Sequence, residues 1–421
     1  MKVLVVGAGV TGICTAYYLQ GLGAEVSVVE QLEGPALDCS FANGGGIHAS
    51  VADPWNSPGV AGMLLKYFGR KDAPLLLRSK ALLPMAAWGI NFLRHSKEEL
   101  FLRNTQRNDK LANYSLGLMK EIRDDCGVEY RADFSGMLKI FRDNETLDAV
   151  RKLADFLSGE REPKYQVLSS TETIGIEPSL APVRDKITGG LHFPDDESGD
   201  SHLFCQNLAK ILADRGVMFH YNCEVSRLKK HGSTFEAQLT EADPLNADAV
   251  VIAAGSYSPQ LARSFGLHLP IKPAKGYSLT IPMHNWKNRP SHLMADMGLH
   301  AGLNPLGGEV LRVAGTAEFA GYDRSIPADR IKNLIGLVEG IFPEFAATMD
   351  REQLNPWTGF RPMTYDGVPL LGKTTVPGLY LNTGHGHLGW TMAAGSGRVV
   401  AETILGKETA LEMNNYSPSR L

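Results

Sequence analysis

Three glycines near the amino terminus lie at the spacing of a phosphate-binding turn. The segment VLVVGAGVTGICTAYYL places Gly7, Gly9 and Gly12 between an apolar run and residues with helical periodicity, which predicts a strand, a turn and a helix. Gly7 allows the turn, Gly9 lets the backbone approach a pyrophosphate, and Gly12 lets the helix pack close to the strand. The N–H groups of the first helical turn would then face the phosphates.

An acidic residue beyond this turn indicates a dinucleotide. Glu30 ends the second apolar run, EVSVVE, about twenty residues after the turn, where a carboxylate accepts hydrogen bonds from an adenosine ribose. Its charge would repel a 2′-phosphate. The alternative, a compact strand, turn and helix that binds nothing, is disfavoured by this context.

Later segments of the chain repeat the pattern of the first. The run from Ala247 to Ser258 predicts a buried strand that leads into a small-residue turn at Ala253 to Gly255. Near the carboxyl terminus, a strand, a glycine loop with Gly384, Gly386 and Gly389, and a helix follow one another. An NAD dehydrogenase usually completes its nucleotide site in one contiguous half, whereas an extended FAD needs the later loops. The sequence therefore predicts FAD.

These segments predict an α/β fold in which a Rossmann-like FAD-binding domain carries an inserted α+β substrate domain on an antiparallel sheet. Amphipathic helices are expected at 97–125 and 145–158 and from Ser201, and Ser40 to Val60 reads as an irregular loop. The expected FAD-binding domain comprises 1–90, 190–262 and 357–421, and the substrate domain comprises 91–189 and 263–356.

Composition narrows the class of protein. The 421 residues are 43% hydrophobic and 21% charged, as in ordinary globular proteins. A net charge of -4 gives no electrostatic basis for binding nucleic acid. The five cysteines are scattered, so we expect neither disulfides nor a metal site, and a reducing, cytoplasmic location. Because the first strand begins at once, no cleavable signal is expected.

The apolar segment from Pro74 to His95 has two interpretations. It contains Trp88 and is interrupted by basic residues, so it can lie in a membrane interface on the inner face of the membrane. The favoured interpretation is a partly buried helix pair broken at Pro84. No segment has the length of uncharged apolar sequence that a membrane-spanning helix requires.

Several motifs together resemble a known family. VGAGVTG, FANGGGI, DPWNSPGV, DESGDSHLFCQNLA, KGYSLTIP, WTGFRPMTYDGVPLLG and LNTGHGHLGWTMAAGSG are similar to the bacterial FAD-dependent D-amino-acid dehydrogenase (small subunit) family, within the D-amino-acid oxidase, glycine oxidase and sarcosine oxidase group. The resemblance extends from the amino terminus to about residue 408. It implies a small D-amino or D-imino acid substrate and hydride transfer from Cα to flavin N5.

The resemblance also implies which residues contact FAD. The expected cofactor-binding residues are Gly7, Gly9, Val10, Thr11, Gly12, Glu30, Gln31, Ser40, Asn43, Gly44, Gly45, Val225, Ala254, Gly255, Gly359, Gly384, His385, Gly386, Leu388, Gly389 and Thr391. Those from Gly384 onward match a loop and helix start that face the pyrimidine end of the flavin, where they would stabilise its reduced, negatively charged form.

Substrate chemistry requires a group that holds a carboxylate. We expect Arg361 in TGFRP to do this, because a guanidinium binds a carboxylate in a planar pair; a structural ion pair is the alternative. Tyr277 can add a hydroxyl or be a plain strand tyrosine, and His385 can lie near the flavin or only shape its loop. No general base is evident, so we expect a neutral amine to lose hydride directly, giving an imino acid that water hydrolyses to a 2-oxo acid.

One short segment departs from the family. Where alanine-acting members continue the glycine loop with glutamine, an apolar residue and serine, this chain has Gly46, Ile47 and His48. An imidazole near the flavin makes D-proline or hydroxy-D-proline credible beside D-alanine. His48 is either a pocket residue or an exposed loop histidine.

Two other functions stay open at this point. An oxidase that reduces oxygen would share every motif, whereas a dehydrogenase would pass its electrons to a quinone or another carrier. A non-catalytic flavin-bound subunit of a larger complex is the other alternative, although Arg361 argues against it. The motifs do not specify an oligomeric state.

Overall fold

The computed structural model describes residues 1–67, 75–159, 164–284 and 286–421. Its strands are β1 Lys2–Val6, β2 Glu25–Val29, β3 Gly46–Ile47, β4 Leu75–Leu77, β5 Met137–Phe141, β6 Gln166–Ser169, β7 Gly189–Phe193, β8 Glu197–Ser198, β9 Met218–His220, β10 Val225–His231, β11 Thr234–Leu239, β12 Leu245–Ala247, β13 Ala249–Ile252, β14 Ile271–Pro282, β15 Leu293–Asp296, β16 Ala301–Leu306, β17 Val310–Phe319, β18 Asn355–Thr364, β19 Leu370–Lys373 and β20 Leu379–Thr383.

The helices lie mainly between these strands. They are α1 Val10–Gly21, α2 Val60–Tyr67, α3 Ser79–Arg94, α4 Glu98–Cys126, α5 Asn144–Ser158, α6 Ser170–Ile176, α7 Ser201–Asp214, α8 Ser258–Ala262, α9 Ala328–Ile341, α10 Pro343–Thr348 and α11 Ala393–Ile404. Of the described residues, none forms a helix long and apolar enough to cross a membrane.

One sheet is built around the glycine turn. Among the described residues its strand order is β19-β20-β13-β1-β2-β9, and all neighbours are parallel except β19 and β20. Val5 pairs in register with Val28 and Val251 on one face, and Leu4 pairs with Val250 on the other. All five side chains are buried, so the centre of the sheet is apolar on both faces. The strands come from three separated parts of the chain, as the sequence predicts.

A second, larger sheet stands beside the first. Its path is β18-β14-β17-β16-β15-β5-β7-β6, with β4 added against β17. The pairing is antiparallel except between β5 and β15 and between β4 and β17, so the sheet is mixed rather than purely antiparallel. Helices α9 and α10 cover one face with an apolar cluster that includes Leu334, Val338 and Phe345. These two sheets confirm the predicted fold class.

The division into two domains stays a prediction, although the packing bears on its limits. Helix α4, predicted for the substrate domain, packs with Leu111, Leu118 and Met119 into the core around α1 and α11. Strand β4, predicted for the FAD-binding domain, pairs in the larger sheet. The predicted limit at residue 357 falls inside β18.

The expected break at Pro84 is wrong. Helix α3 runs without interruption from Ser79 to Arg94, with Pro84 inside it. Proline there removes one intrahelical hydrogen bond, and the indole N–H of Trp88 anchors the helix by donating to the Pro270 carbonyl at 3.0 Å. Pro74 lies outside the described residues. The loop from Ser40 to Val60 is largely irregular, as predicted, but contains the short strand β3.

The carboxyl terminus is tied to the turn between β18 and β19. Arg420 donates from Nε and Nη2 to the two carboxylate oxygens of Asp366, at 2.9 and 3.2 Å. Its side chain also donates to the carbonyls of Val368 and Pro369, at 2.6 and 2.9 Å. Both charged groups are nearly inaccessible to solvent, so removing one leaves the other buried without its charged partner.

We therefore expect Arg420→Ala to lower the free energy of unfolding by about 3 kcal/mol or more. Lys120→Ala is the matched control, because it removes the exposed ion pair with Asp124 and should cost at most about 0.5 kcal/mol. Chemical denaturation of the two variants measures both values. Equal losses would show that the buried pair adds nothing to stability.

Candidate functional site

A cavity of about 1060 Å³ opens at the carboxyl ends of the parallel strands and extends to the larger sheet. Val6, Ala253 and Thr383, which end or directly follow β1, β13 and β20, line its floor, and residues of β14, β17 and β18 line its far wall. This edge of a parallel sheet is where nucleotides bind, because the strand ends and helix N-termini expose backbone groups there.

The glycine turn has the shape that the sequence predicts. Gly7 has φ +108°, and a Cβ there would lie 2.7 Å from the Ala253 carbonyl oxygen. A Cβ on Gly12 would lie 1.9 Å from the Gly7 carbonyl oxygen, so α1 starts closer to the strand than any side chain permits. Gly9 and Thr11 line the cavity. The turn thus forms a backbone cradle at the start of α1.

Glu30 lies at the edge of this cradle. Its two carboxylate oxygens accept backbone N–H groups from Ala8 at 2.8 Å and Leu32 at 3.0 Å. Burial raises the pKa of the carboxyl group, and these two hydrogen bonds oppose the shift. A carboxylate oxygen accepts more than one hydrogen bond, so Glu30 retains acceptor capacity toward the cavity that it lines.

The loop at residues 43–46, called the second glycine loop below, is hydrogen-bonded to the larger sheet. The Asn304 side-chain amide donates to the Gly44 carbonyl at 3.2 Å, and Arg312 Nη1 donates to the Asn43 carbonyl at 3.0 Å. The Gly45 N–H in turn donates to Asn43 Oδ1 at 2.9 Å. These hydrogen bonds fix the position of the loop where it lines the cavity.

The structure gathers most predicted cofactor residues around this cavity. Those lining it are Gly7, Gly9, Val10, Thr11, Glu30, Gln31, Ser40, Asn43, Gly44, Gly45, Val225, Ala254, Gly255, Gly359, His385, Gly386 and Gly389. Gly12, Gly384, Leu388 and Thr391 support the wall without lining it. Thr391 Oγ1, for example, accepts the backbone N–H of His48 at 3.2 Å. Cofactor contacts of all these residues stay a prediction.

Arg361 is a partly buried cation whose buried Nη1 donor is unsatisfied. Its Nη1 atom has no hydrogen-bond partner in the described part of the chain, and burial lowers the pKa of the guanidinium. The group crosses Gly276 on the neighbouring strand, where a Cβ would lie 2.1 Å from Nη1. It also lies 5.4 Å from the centre of the Trp55 ring. The structural ion pair that was the alternative is not found among the described residues.

Trp55 and His387 were missed by the sequence analysis. Their rings stack at 5.5 Å, and both residues line the cavity beside Arg361. Trp55 lies in the quoted motif DPWNSPGV, and His387 is the second histidine of GHGH. Those motifs were the available signal, but a motif alone does not show which of its side chains points into a cavity.

The histidines of the site are neutral. Burial lowers the pKa of His48 to about 4, of His385 to about 3 and of His387 to about 4, and the charge of Arg361 contributes to the last. His385 Nε2 and His48 Nδ1 lack partners among the described residues. His48 is a cavity residue rather than an exposed loop histidine. Arg361 is therefore the main positive charge at this end of the cavity.

Tyr277 lines the cavity, but its hydroxyl is engaged elsewhere. It donates to Glu318 Oε2 at 2.9 Å, and burial together with this bond raises the pKa of the phenol. Glu318 also pairs with Arg78 and Arg330. The expected hydroxyl contact with a substrate carboxylate stays a prediction that this geometry does not favour.

Comparison with known proteins shows the family. The FAD dependent oxidoreductase (DAO) family model matches residues 2–403 of the chain. The D-amino acid dehydrogenase of Paramagnetospirillum magneticum is 40% identical over 424 aligned residues, covering 100% of this chain and 99% of that protein. The D-amino acid dehydrogenase of Vibrio vulnificus is 38% identical, covering 97% of each.

Solved structures have the same fold at lower identity. Glycine oxidase from Geobacillus kaustophilus gives a TM-score of 0.76 at 23% identity, covering 100% of this chain and 99% of that one. L-proline dehydrogenase from P. horikoshii gives a TM-score of 0.76 at 18% identity, covering 100% of this chain and 97% of that one. The likeness shows a shared fold over the whole chain.

The neutral histidines predict a specific dependence of stability on pH. His385 has a depressed pKa in the fold, so its contribution to stability is complete above about pH 6.5 and is lost as the pH falls toward 3. His385→Gln should reduce the acid-side slope of unfolding free energy against pH by about 1.4 kcal/mol per pH unit. Denaturation between pH 7 and pH 4 measures this slope, which corresponds to about one proton taken up on unfolding. Identical slopes would mean that folding does not change the pKa of His385.

Proposed function

Because the chain belongs to the FAD dependent oxidoreductase family, we propose that it oxidises the Cα–N bond of a small D-amino or D-imino acid and passes the electrons to a quinone or another carrier. The observation that carries this proposal is the guanidinium of Arg361, which lines a cavity of about 1060 Å³ and whose buried Nη1 donor has no partner among the described residues. The D configuration is inferred from the names of the relatives.

The residues present fit FAD. The glycine cradle leaves room for a pyrophosphate, Glu30 has acceptor capacity beside it, and the cavity continues past the second glycine loop to His385 and Arg361. Such a shape suits an extended dinucleotide with its reactive ring at the Arg361 end. Bound FAD supplies a two-electron acceptor for the hydride that leaves Cα.

Arg361 binds and orients the substrate. A carboxylate facing the guanidinium would satisfy its unpartnered donor and neutralise a charge that burial makes costly. The stacked Trp55 and His387 rings lie beside it and form an apolar wall of the cavity. Fixing the carboxylate also fixes Cα, and orientation of this kind accounts for a large share of the rate.

The electrostatics of the site favour a neutral amine. A substrate ammonium would lie beside the Arg361 cation, and the neutral His385 and His387 next to it offer no compensating charge. Loss of hydride from Cα and of a proton from nitrogen gives an imino acid. Water hydrolyses this product to a 2-oxo acid and ammonia, and a cyclic substrate gives a cyclic imine.

The two alternative functions are not favoured. The relatives at about 40% identity over the full chain are named dehydrogenases rather than oxidases. A non-catalytic subunit would have no use for a buried guanidinium that faces a cavity with an unpartnered donor.

A surface near the cavity supports a membrane quinone as the electron acceptor. Helices α2 and α3 expose Leu65 and Leu83, at 78% and 87%, together with Ile90. Neither helix contains an acidic residue, while Lys66 and Arg94 lie in their last turns. An apolar and basic surface of this kind contacts anionic lipid. Met63 of α2 also lines the cavity, so the surface adjoins the redox site. We propose a peripheral contact with the membrane, where quinones reside.

Arg361→Ala should lower the second-order rate constant of flavin reduction about 100-fold, because the substrate carboxylate loses its charged partner. Anaerobic stopped-flow absorbance near 450 nm with D-alanine, D-proline and their L-enantiomers measures it. Gly276→Ala should act in the same direction, since its Cβ displaces the guanidinium without removing it. If no D-substrate reduces the flavin of the wild type, the proposed function is wrong.

A double variant, Leu65→Glu with Leu83→Glu, should weaken binding to anionic lipid vesicles at least about tenfold, because two carboxylates replace exposed apolar side chains. Co-sedimentation with vesicles measures the binding. Val167→Glu is the matched control, since Val167 is 52% exposed on β6, outside α2 and α3. Unchanged binding of the double variant would place the membrane contact elsewhere.

A further inference from the structure

Lys139 is a buried cation that the proposed reaction does not use. It lies on β5 with 3% of its surface exposed, and its ammonium group lies 4.8 Å from the centre of the Phe193 ring. It donates to the Ser50 carbonyl at 2.6 Å. An ammonium has three donors, and no second acceptor is found for it among the described residues. Lys139 also lines the cavity, so its remaining donors are available to a group that binds there.

Asp196 provides an acceptor in the same region. Its carboxyl group is 3% exposed, and Oδ1 accepts the Ser50 backbone N–H at 3.4 Å. Oδ2 has no partner in the part of the chain that the structure describes. Burial raises the pKa of this carboxyl to about 6, so it is largely ionised near pH 8. The charges of Lys139 and Asp196 influence one another without a direct ion pair.

His48 forms the third side of this pocket, and its position depends on Gly46. The imidazole folds over Gly46, where a Cβ would lie 2.1 Å from His48 Cδ2. His48 Nδ1 has no described partner. The two departures from the family pattern are thus coupled, because only a residue without a side chain at position 46 leaves room for the ring.

This pocket is continuous with the substrate site. Lys139, Asp196, His48 and Arg361 line one cavity. His387 lies near Arg361, since its ring stacks on Trp55 and the Trp55 ring lies 5.4 Å from the guanidinium. A charge on His387 also lowers the pKa of His48. A substrate whose carboxylate is held by Arg361 would extend its side chain toward this pocket.

We propose that His48, Lys139 and Asp196 form a side-chain pocket that selects D-amino or D-imino acids carrying a hydroxyl group, as in cis-4-hydroxy-D-proline. This inference rests on the proposed function and names its substrate class. A hydroxyl accepts from an ammonium and donates to a carboxylate at once, so it would satisfy a remaining donor of Lys139 and the unpartnered Oδ2 of Asp196. A cationic side chain would meet Lys139, and an anionic one would meet Asp196 and the nearby Asp53.

The test compares two substrates that differ only in the hydroxyl. Flavin-loaded enzyme is reduced anaerobically by cis-4-hydroxy-D-proline and by D-proline, and the ratio of the two second-order rate constants is the readout. We expect the wild type to favour the hydroxylated substrate at least about tenfold, and Lys139→Met and Asp196→Asn each to lower the ratio about tenfold or more.

Two further variants test whether the position of the His48 ring matters and whether any lysine substitution has the same effect. Gly46→Ala should lower the ratio as His48→Ala does, because its Cβ displaces the intact imidazole. Lys120→Met, a lysine substitution at an exposed position, should leave the ratio unchanged. Flavin absorbance and circular dichroism report folding. If Lys139→Met does not fold, the near-isosteric Asp196→Asn carries the test.

The outcomes distinguish the two proposals. Equal rates with both substrates in the wild type, or a ratio that the pocket variants do not change, would overturn the hydroxyl pocket and leave the proposed function intact. A preference for D-lysine or D-glutamate over cis-4-hydroxy-D-proline would also overturn it. Reduction by none of the D-substrates would refute the proposed function itself.

Discussion

The unsatisfied guanidinium of Arg361 is the constraint on which the rest of the site depends. A buried cation with an unpartnered donor is costly, so the surrounding structure must hold it in place until an anion arrives. The long pairing of β14 with β18 provides that rigidity, and Gly276 provides the space across which the side chain lies. The unsatisfied donor lowers the stability of the unliganded fold, and a bound carboxylate would relieve this cost.

The two sheets divide the work between them. The parallel sheet places a glycine cradle and Glu30 where a dinucleotide lies, and the larger sheet presents Arg361 and Lys139 from β18 and β5. The second glycine loop is bound to the larger sheet through Asn304 and Arg312. Ser40, which precedes this loop, accepts the Val10 N–H of α1 at 3.2 Å, so the same segment is also bound to the glycine cradle. Cofactor and substrate would therefore keep a fixed relation.

Local features of the site could be predicted from the sequence, whereas features between distant strands could not. The close contact between Gly12 and the Gly7 carbonyl joins residues only five positions apart, so the spacing of these glycines was informative. Tyr277 was correctly placed on a strand, but the direction of its hydroxyl depends on Glu318 of the neighbouring strand. Lys139 sits in a strand of buried residues, where nothing in MLKIF indicates which face borders a cavity.

The central claim is that Arg361 holds the substrate through its negative charge. The most direct measurement compares D-alanine with D-alaninamide, which keeps the shape but lacks the carboxylate, in anaerobic reduction of the wild type and of Arg361→Ala. The account predicts a strong preference of the wild type for D-alanine and little or no preference in the variant. An equal preference in both enzymes would contradict it, because the discrimination would then come from another group.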